Sequence, residues 1–272
     1  MRYFVRLSYL GTDFHGSQRQ PNGISVQEVM EQAFSTILRC PVSLVFAGRT
    51  DAGVHAREMF AHFETGLPVP DGLAARLNSL LPSSVAVSGL WPVPPDAHAR
   101  FSAVARTYEY HIISSKNPFL EGRAARVAPG LDFGAMNAAA SLLLGRHDFA
   151  SFCRAHTDVK TTFCTVTRAG WEVGPDGDTA VFTVTADRFL RNMVRALVGT
   201  LFEVGRGKLS QEGFAQVMEA RNRCVAGQSV PACGLYLVRI AYPFPLADGF
   251  TSIVPAVSGV SAVPEMSAGG LE

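Results

Sequence analysis

Ser25-Val26-Gln27-Glu28-Val29-Met30-Glu31-Gln32-Ala33-Phe34-Ser35-Thr36-Ile37 is the stretch on which the fold turns. Ser25 and Glu28 form a capping box, in which each side chain reaches the other's backbone N–H and satisfies donors that a helix start leaves free. Val29, Ala33, Phe34 and Ile37 follow at helical spacing and make one apolar face. On its N-terminal side, residues 2–10 alternate as a strand does. On its C-terminal side, Val42–Phe46 and Met59–Phe63 read as strands, a helix near 71–80 stops before Pro82, and Val85–Val93 reads as a strand. The order is β-α-β-β-α-β, a ferredoxin-like unit.

The second half repeats that order loosely. Thr107–Ile113 alternates as a strand, and Asp132 caps an Ala/Leu-rich helix that runs to about Leu144. Thr161–Val173 and Ala180–Thr185 read as strands joined by the turn Gly174-Pro175-Asp176-Gly177-Asp178. Helices at 188–204 and 210–220 and a strand at 234–240 follow. The expected fold class is therefore α+β. Two ferredoxin/RRM-like halves, residues 1–102 and 103–244, would share one extended, mainly antiparallel sheet, with helices on one face and a central cleft. Residues 245–272 are rich in Ala, Ser, Gly, Val and Pro and show no sustained period, so a flexible tail is expected.

The composition is that of an ordinary folded protein, with 47% hydrophobic and 17% charged residues and a net charge of +1. The global charge therefore does not point to nucleic acid, but its distribution is uneven. Segment 186–208 carries Arg188, Arg191, Arg195, Arg206 and Lys208 against Asp187 and Glu203. From Pro245 onward there is no Lys or Arg. Local basic strips matter more for phosphate binding than the sum, although a solvated charged surface explains them as well. The five cysteines form no C-x-x-C pair and the seven histidines no ligand spacing, so neither a metal site nor a disulfide framework is expected. The start Met1-Arg2-Tyr3-Phe4-Val5-Arg6 has no long apolar run, and no uninterrupted apolar stretch of membrane length occurs. A cytoplasmic location is the expectation.

Chemistry concentrates in Gly48-Arg49-Thr50-Asp51-Ala52-Gly53-Val54-His55-Ala56. The string lies in a loop between two strands, with glycines that allow close backbone approach. A carboxylate beside a cation can stay ionised when partly desolvated, as a nucleophile must. From the residues alone the favoured reading is the plainer one, a polar turn in which Asp51 bonds its own backbone and Arg49 faces water, since structural ion pairs are common. Thr50-Asp51-Ala52-Gly53 is not Asp-Thr-Gly, and no second carboxylate accompanies it, which argues against a protease or glycosidase.

The nine-residue string resembles the signature of the tRNA pseudouridine synthase A (TruA) family. Other segments similar to that family follow in order: Leu7–Gly16, His98–Ala103, Arg106–Tyr110, Gly145–Phe152, Phe189–Arg195 and Pro231–Leu237. Together they span about residues 3 to 240. Ser17 is a departure, since many relatives carry Trp there. The resemblance implies the pseudouridine synthase fold and isomerisation of uridine to pseudouridine in tRNA, at positions 38 to 40 of the anticodon stem-loop. It implies a homodimer as the working unit. It makes Asp51 the nucleophile, Tyr108 an aromatic packed on the target uracil with a part in proton transfer, and Arg195 the partner of Asp51. It makes Leu235 the apolar wall of the base pocket. Arg49 and Arg191 are expected to contact substrate, His55 either to contact the RNA or to be structural, with Arg188 a further candidate for phosphate. An isomerisation without redox change needs no cofactor. The rival reading is a tRNA-binding module without catalysis, because RRM-like sheets often only bind.

Overall fold

The strand β1 (Arg2–Tyr9) shows how the N-terminal half is layered. Burial alternates from Val5 to Tyr9, but Phe4 beside Val5 is fully buried too and breaks the alternation. The reason is that both faces of this part of the sheet are covered. On one face Phe63 stacks on Tyr3 and meets Phe34 of the helix α1 (Val26–Leu38). On the other, Phe4 packs edge-on against Tyr242, whose hydroxyl donates to the Ala99 carbonyl. The structure is a computed structural model and describes residues 1–154 and 160–246.

The remaining elements of the first half are β2 (Val45–Phe46), β3 (His55–Glu64), α2 (Leu73–Leu80) and β4 (Val85–Val93). The second half contributes β5 (Ala105–Ile113), β6 (Ala125–Arg126), α3 (Phe133–Ser141) and β7 (Gly145–Asp148). It continues with β8 (Phe163–Val173), β9 (Thr179–Ala186), α4 (Met193–Gly205), α5 (Gln211–Glu219) and β10 (Leu235–Ala241). One sheet runs β4-β1-β3-β10-β5-β9-β8-β7, with β2 beside β3 and β6 beside β5. Both halves thus share one strand order, β4-β1-β3-β2 in the first and β10-β5-β9-β8 in the second. They join where β3 and β10 run parallel, pairing His55 with Tyr236 and Ala56 with Leu237. Its far end pairs with β2, at Ala61 and His62. The fold class is the expected α+β, one long mainly antiparallel sheet with its helices on one face.

Both N-caps form, although of the Ser25–Glu28 box only the Ser25 half is made among the described residues. Ser25 Oγ accepts the Glu28 N–H at 3.2 Å, and Asp132 Oδ1 accepts the Ala135 N–H at 2.9 Å. Two expectations shift. The strand expected over Val42–Phe46 pairs only at Val45–Phe46, because α1 side chains take the earlier amides. Val42 N–H donates to Ser35 Oγ and Leu44 N–H to Glu31 Oε1. The helix expected from residue 188 begins at Met193. Asp187 holds the chain out of helical form by accepting the Thr165 and Arg188 N–H groups, and Asn192 takes a left-handed φ of 65° at the helix start.

Two hydrophobic cores form. One packs α1 and α2 on β1, β3 and β4; the other packs α3, α4 and α5 on β5, β8 and β9. Each fully buried Leu or Phe contributes roughly 1.5–3 kcal/mol. Tyr108 packs against both cores. Of the segment read as a tail, Leu246 is buried against the first core. Residues 247–272 lie outside the described residues, as does that part of the expectation.

Candidate active site

The loop between β2 and β3 carries Asp51, and the backbone around it is tethered on several sides. Ala47 N–H donates to the Phe60 carbonyl at 2.8 Å, Gly53 N–H to Phe14 at 3.4 Å, and Val54 N–H to Asp51 at 3.1 Å. The buried Tyr9 and Thr50 hydroxyls bond to each other at 2.9 Å. Gly53 sits at a φ of +78°, where a side chain would be strained. Asp51 leaves this braced loop with its side chain 32% exposed, open enough to meet a substrate.

Its charge partner comes from the other half. Arg195 lies in the first turn of α4, and its Nη1 stands 3.4 Å from Asp51 Oδ2. The same guanidinium donates through Nε to the Val230 carbonyl at 2.7 Å. The Val230 N–H donates back to the Arg195 carbonyl at 3.2 Å. The second contact fixes the plane of the fork, so Nη1 is aimed rather than free to wander. Among the described residues no hydrogen bond reaches Asp51 Oδ1. One carboxylate oxygen faces the cation and the other is unpartnered there.

Tyr108, on β5, lies half-buried at the junction of the two cores. Its ring meets Phe189 edge-on, with centroids 4.9 Å apart. Burial pushes its hydroxyl up to about 12; Arg106 pulls it down in part, and the negative charge of Asp51 pushes it up again. Tyr108 pairs across the sheet with Leu237, and Tyr110 with Leu235, so Tyr108 and Leu235 share one face two residues apart along the ladder. Leu235 is buried. Among the described residues, a carboxylate with one unpartnered oxygen and a compensating cation thus face each other across the seam of the two halves.

Of the other expected site residues, Arg49 and Arg191 are exposed. Arg191 is not one helical turn before Arg195 on a common helix. It lies in the segment ahead of α4, where its carbonyl accepts the Arg154 N–H at 3.1 Å. Of the two readings of His55, RNA contact or structural, the structure corrects the first and supports the second, since the side chain has no exposed surface. Its Nδ1 accepts the Gly11 N–H at 2.9 Å, and its Nε2 lies 3.0 Å from the Cys233 carbonyl. Both contacts are satisfied together only by the neutral Nε2–H tautomer, and burial lowers its pKa below the ordinary value. His55 ties the loop after β1 to the start of β10.

Arg106 was not singled out from the sequence. It stands two residues before Tyr108 on β5, and its guanidinium donates to the Ala103, Asp187, Ala47 and Arg100 carbonyls. Ala47 opens the Asp51 loop and Asp187 opens the segment that carries Phe189. One side chain therefore links the two loops that flank Tyr108. Its signal was the alternation of the strand, which puts Arg106 and Tyr108 on one side of β5.

Among the described residues no group of three or more His, Cys, Asp or Glu is placed to hold a metal ion, and no helix is long and apolar enough to cross a membrane. Residues 139–243 match the family model described as tRNA pseudouridine synthase. That span holds Arg191, Arg195 and Leu235. The chain is 52% identical over 252 residues to the tRNA pseudouridine synthase A of Parabacteroides distasonis, covering 91% of this chain and 99% of that protein. It is 53% identical over 245 residues to that of Bacteroides thetaiotaomicron, covering 89% and 91%. With that of Porphyromonas gingivalis the identity is 51% over 245 residues, covering 89% and 97%.

Proposed function

This chain belongs to the tRNA pseudouridine synthase A family and isomerises uridine to pseudouridine in tRNA; we propose that Asp51 is the carboxylate that performs the reaction and that its targets are uridines 38 to 40 of the anticodon stem-loop. The observation that carries the assignment of Asp51 is its pairing with Arg195 across the seam of the two halves.

The reaction breaks the bond between ribose C1′ and uracil N1 and makes one between C1′ and C5. N1 gains a proton and C5 loses one, so atoms and electrons balance without an oxidant or reductant. The target base leaves the stack to reach the site, at a cost of a few kcal/mol that phosphate and stacking contacts offset. Asp51 Oδ1 is the free oxygen, and it can add to uracil C6, attack C1′, or assist departure of uracil as a glycal forms. Arg195 aims the carboxylate and compensates its charge. Tyr108 and Leu235 hold the detached base while it turns. The Tyr108 hydroxyl, held protonated, takes part in the loss of the C5 proton as a relay, passing its own proton to water as it takes up that of C5. Arg49 and Arg191, both exposed, meet phosphate.

The proposal extends to a homodimer, in which two near-neutral chains pool their basic strips on one RNA, and to the cytoplasm as the place of action. Carbodiimide treatment and primer extension on unmodified tRNA transcripts test the target. Stops at positions 38 to 40 are expected after incubation with the protein. Stops confined to another arm of the tRNA contradict the assignment to the anticodon stem-loop.

A further inference from the structure

Ser17 has no exposed surface; its side chain and its N–H bond to the Asp51 loop, while its carbonyl accepts the Gln27 N–H of α1 at 3.0 Å. Its Oγ accepts the Thr50 N–H at 2.8 Å, and its hydroxyl donates to the Gly48 carbonyl at a longer 3.5 Å. Its own N–H donates to the Thr50 carbonyl at 3.2 Å. The peptide groups on either side of Arg49 thus converge on one oxygen. That oxygen holds the backbone of residues 48–50 inward, while Arg49 itself is exposed. The close approach depends on Gly16, which has a φ of +92°; a Cβ there would lie 2.7 Å from the Thr50 carbonyl oxygen. From the other side, the Tyr9 hydroxyl holds the Thr50 side chain. Thr50 is the residue before Asp51, so its orientation sets the direction in which the Asp51 side chain leaves the loop.

We propose that Ser17 is a positioning residue for the isomerisation: its hydroxyl clamps Gly48 and Thr50 and so aims Asp51 at the reacting base. The proposal rests on the reading of Asp51 as the reacting carboxylate. The clamp is the only contact of this chain that fixes both flanks of Arg49 through one side-chain atom among the described residues. A misplacement of about 1 Å in a reacting group costs on the order of 100-fold in rate. Removal of the hydroxyl leaves the Thr50 N–H buried without its acceptor, and the loop relaxes toward water.

The test compares the parent with Ser17→Ala and the near-isosteric Ser17→Cys, by single-turnover tritium release from [5-³H]uridine tRNA at saturating protein. The affinity for tRNA is measured separately. Ser151→Ala is the control, because Ser151 is equally buried and accepts the Asn222 N–H at 2.9 Å in the other half. Ser17→Ala is expected to lose roughly 10- to 100-fold in the single-turnover rate, with tRNA affinity within about threefold of the parent. Ser17→Cys falls between, and Ser151→Ala stays near the parent rate. If Ser17→Ala does not fold, Ser17→Cys carries the comparison. A rate within twofold of the parent in a folded Ser17 variant overturns the proposal, as does a loss confined to affinity or an equal loss in Ser151→Ala. A parent that releases no tritium overturns the reading of the reaction instead, so the two failures are distinct.

Discussion

Arg195 reaches Asp51 from the opposite half of the molecule, with Nη1 3.4 Å from Oδ2, while its Nε is fixed on the Val230 carbonyl at 2.7 Å. The pair is partly open to water, with side chains 22% and 32% exposed, so its worth to folding is small, about 0–1 kcal/mol. Its worth to the reaction is larger, because it aims the carboxylate where charge moves. Arg195→Met is expected to lose on the order of 10²–10³-fold in single-turnover rate with little change in thermal stability. Arg195→Lys keeps the charge but loses the second arm of the fork, so it recovers only part of the rate. Equal rates in Arg195→Met and the parent would remove Arg195 from the site.

Tyr108 separates ring from hydroxyl. Tyr108→Ala removes a stacking face worth about 1–3 kcal/mol of base binding. Tyr108→Phe keeps the face, so its tRNA affinity stays near that of the parent while the rate falls. The hydroxyl is pushed up to about 12, chiefly by burial, so it stays protonated from pH 6 to pH 10 and adds no limb to the rate profile there. A limb between pH 7 and pH 9 that vanishes in Tyr108→Phe would contradict this.

Two buried histidines make the protein acid-sensitive. Burial lowers His62 from 6.5 to about 4 and lowers His55 as well. The unfolded chain then binds more protons than the folded one as pH drops below about 6.5. Stability is full above that value and falls as pH approaches 4, by on the order of 2–3 kcal/mol for His62 alone. Melting temperature measured from pH 7.5 to 4.5 should decline, with a shallower slope in His62→Gln. A flat profile in the parent would show that neither imidazole is held neutral by the fold.

Arg49 and Arg191 test the phosphate contacts. Each exposed guanidinium that meets one phosphate adds about one counterion to the salt dependence. Arg49→Ala and Arg191→Ala are each expected to weaken tRNA binding several-fold and to reduce the slope of log affinity against log salt by about 0.7–0.9. An unchanged slope in either variant removes that residue from the RNA face.

The fold was legible where local chemistry decides it. Ser25 and Asp132 announce their helices by the bonds they make, and Val85–Val93 is the strand its alternation indicates. It was illegible where tertiary contacts decide. Nothing local says that Ser35 and Glu31 take the amides of Val42 and Leu44, or that Asn192 turns left-handed ahead of α4. Gly145–Asp148 pairs as a strand although Arg146, His147 and Asp148 show no apolar alternation, because Val166 to Phe163 supply its partner edge. In the site, the string around Asp51 stood out at once. The burial of His55 did not, since a histidine in a signature looks the same whether it faces substrate or braces two strands. The four-carbonyl cage of Arg106 needed coordinates, because its acceptors are scattered from Ala47 to Asp187.

The measurement that bears most directly on the role of Asp51 is tritium release from tRNA transcripts carrying [5-³H]uridine, with the parent and Asp51→Ala compared without added cofactor. The account predicts release by the parent and none by Asp51→Ala, with tRNA affinity retained by the folded variant. Release by Asp51→Ala at a rate near that of the parent would contradict it and move the reacting group elsewhere in the site.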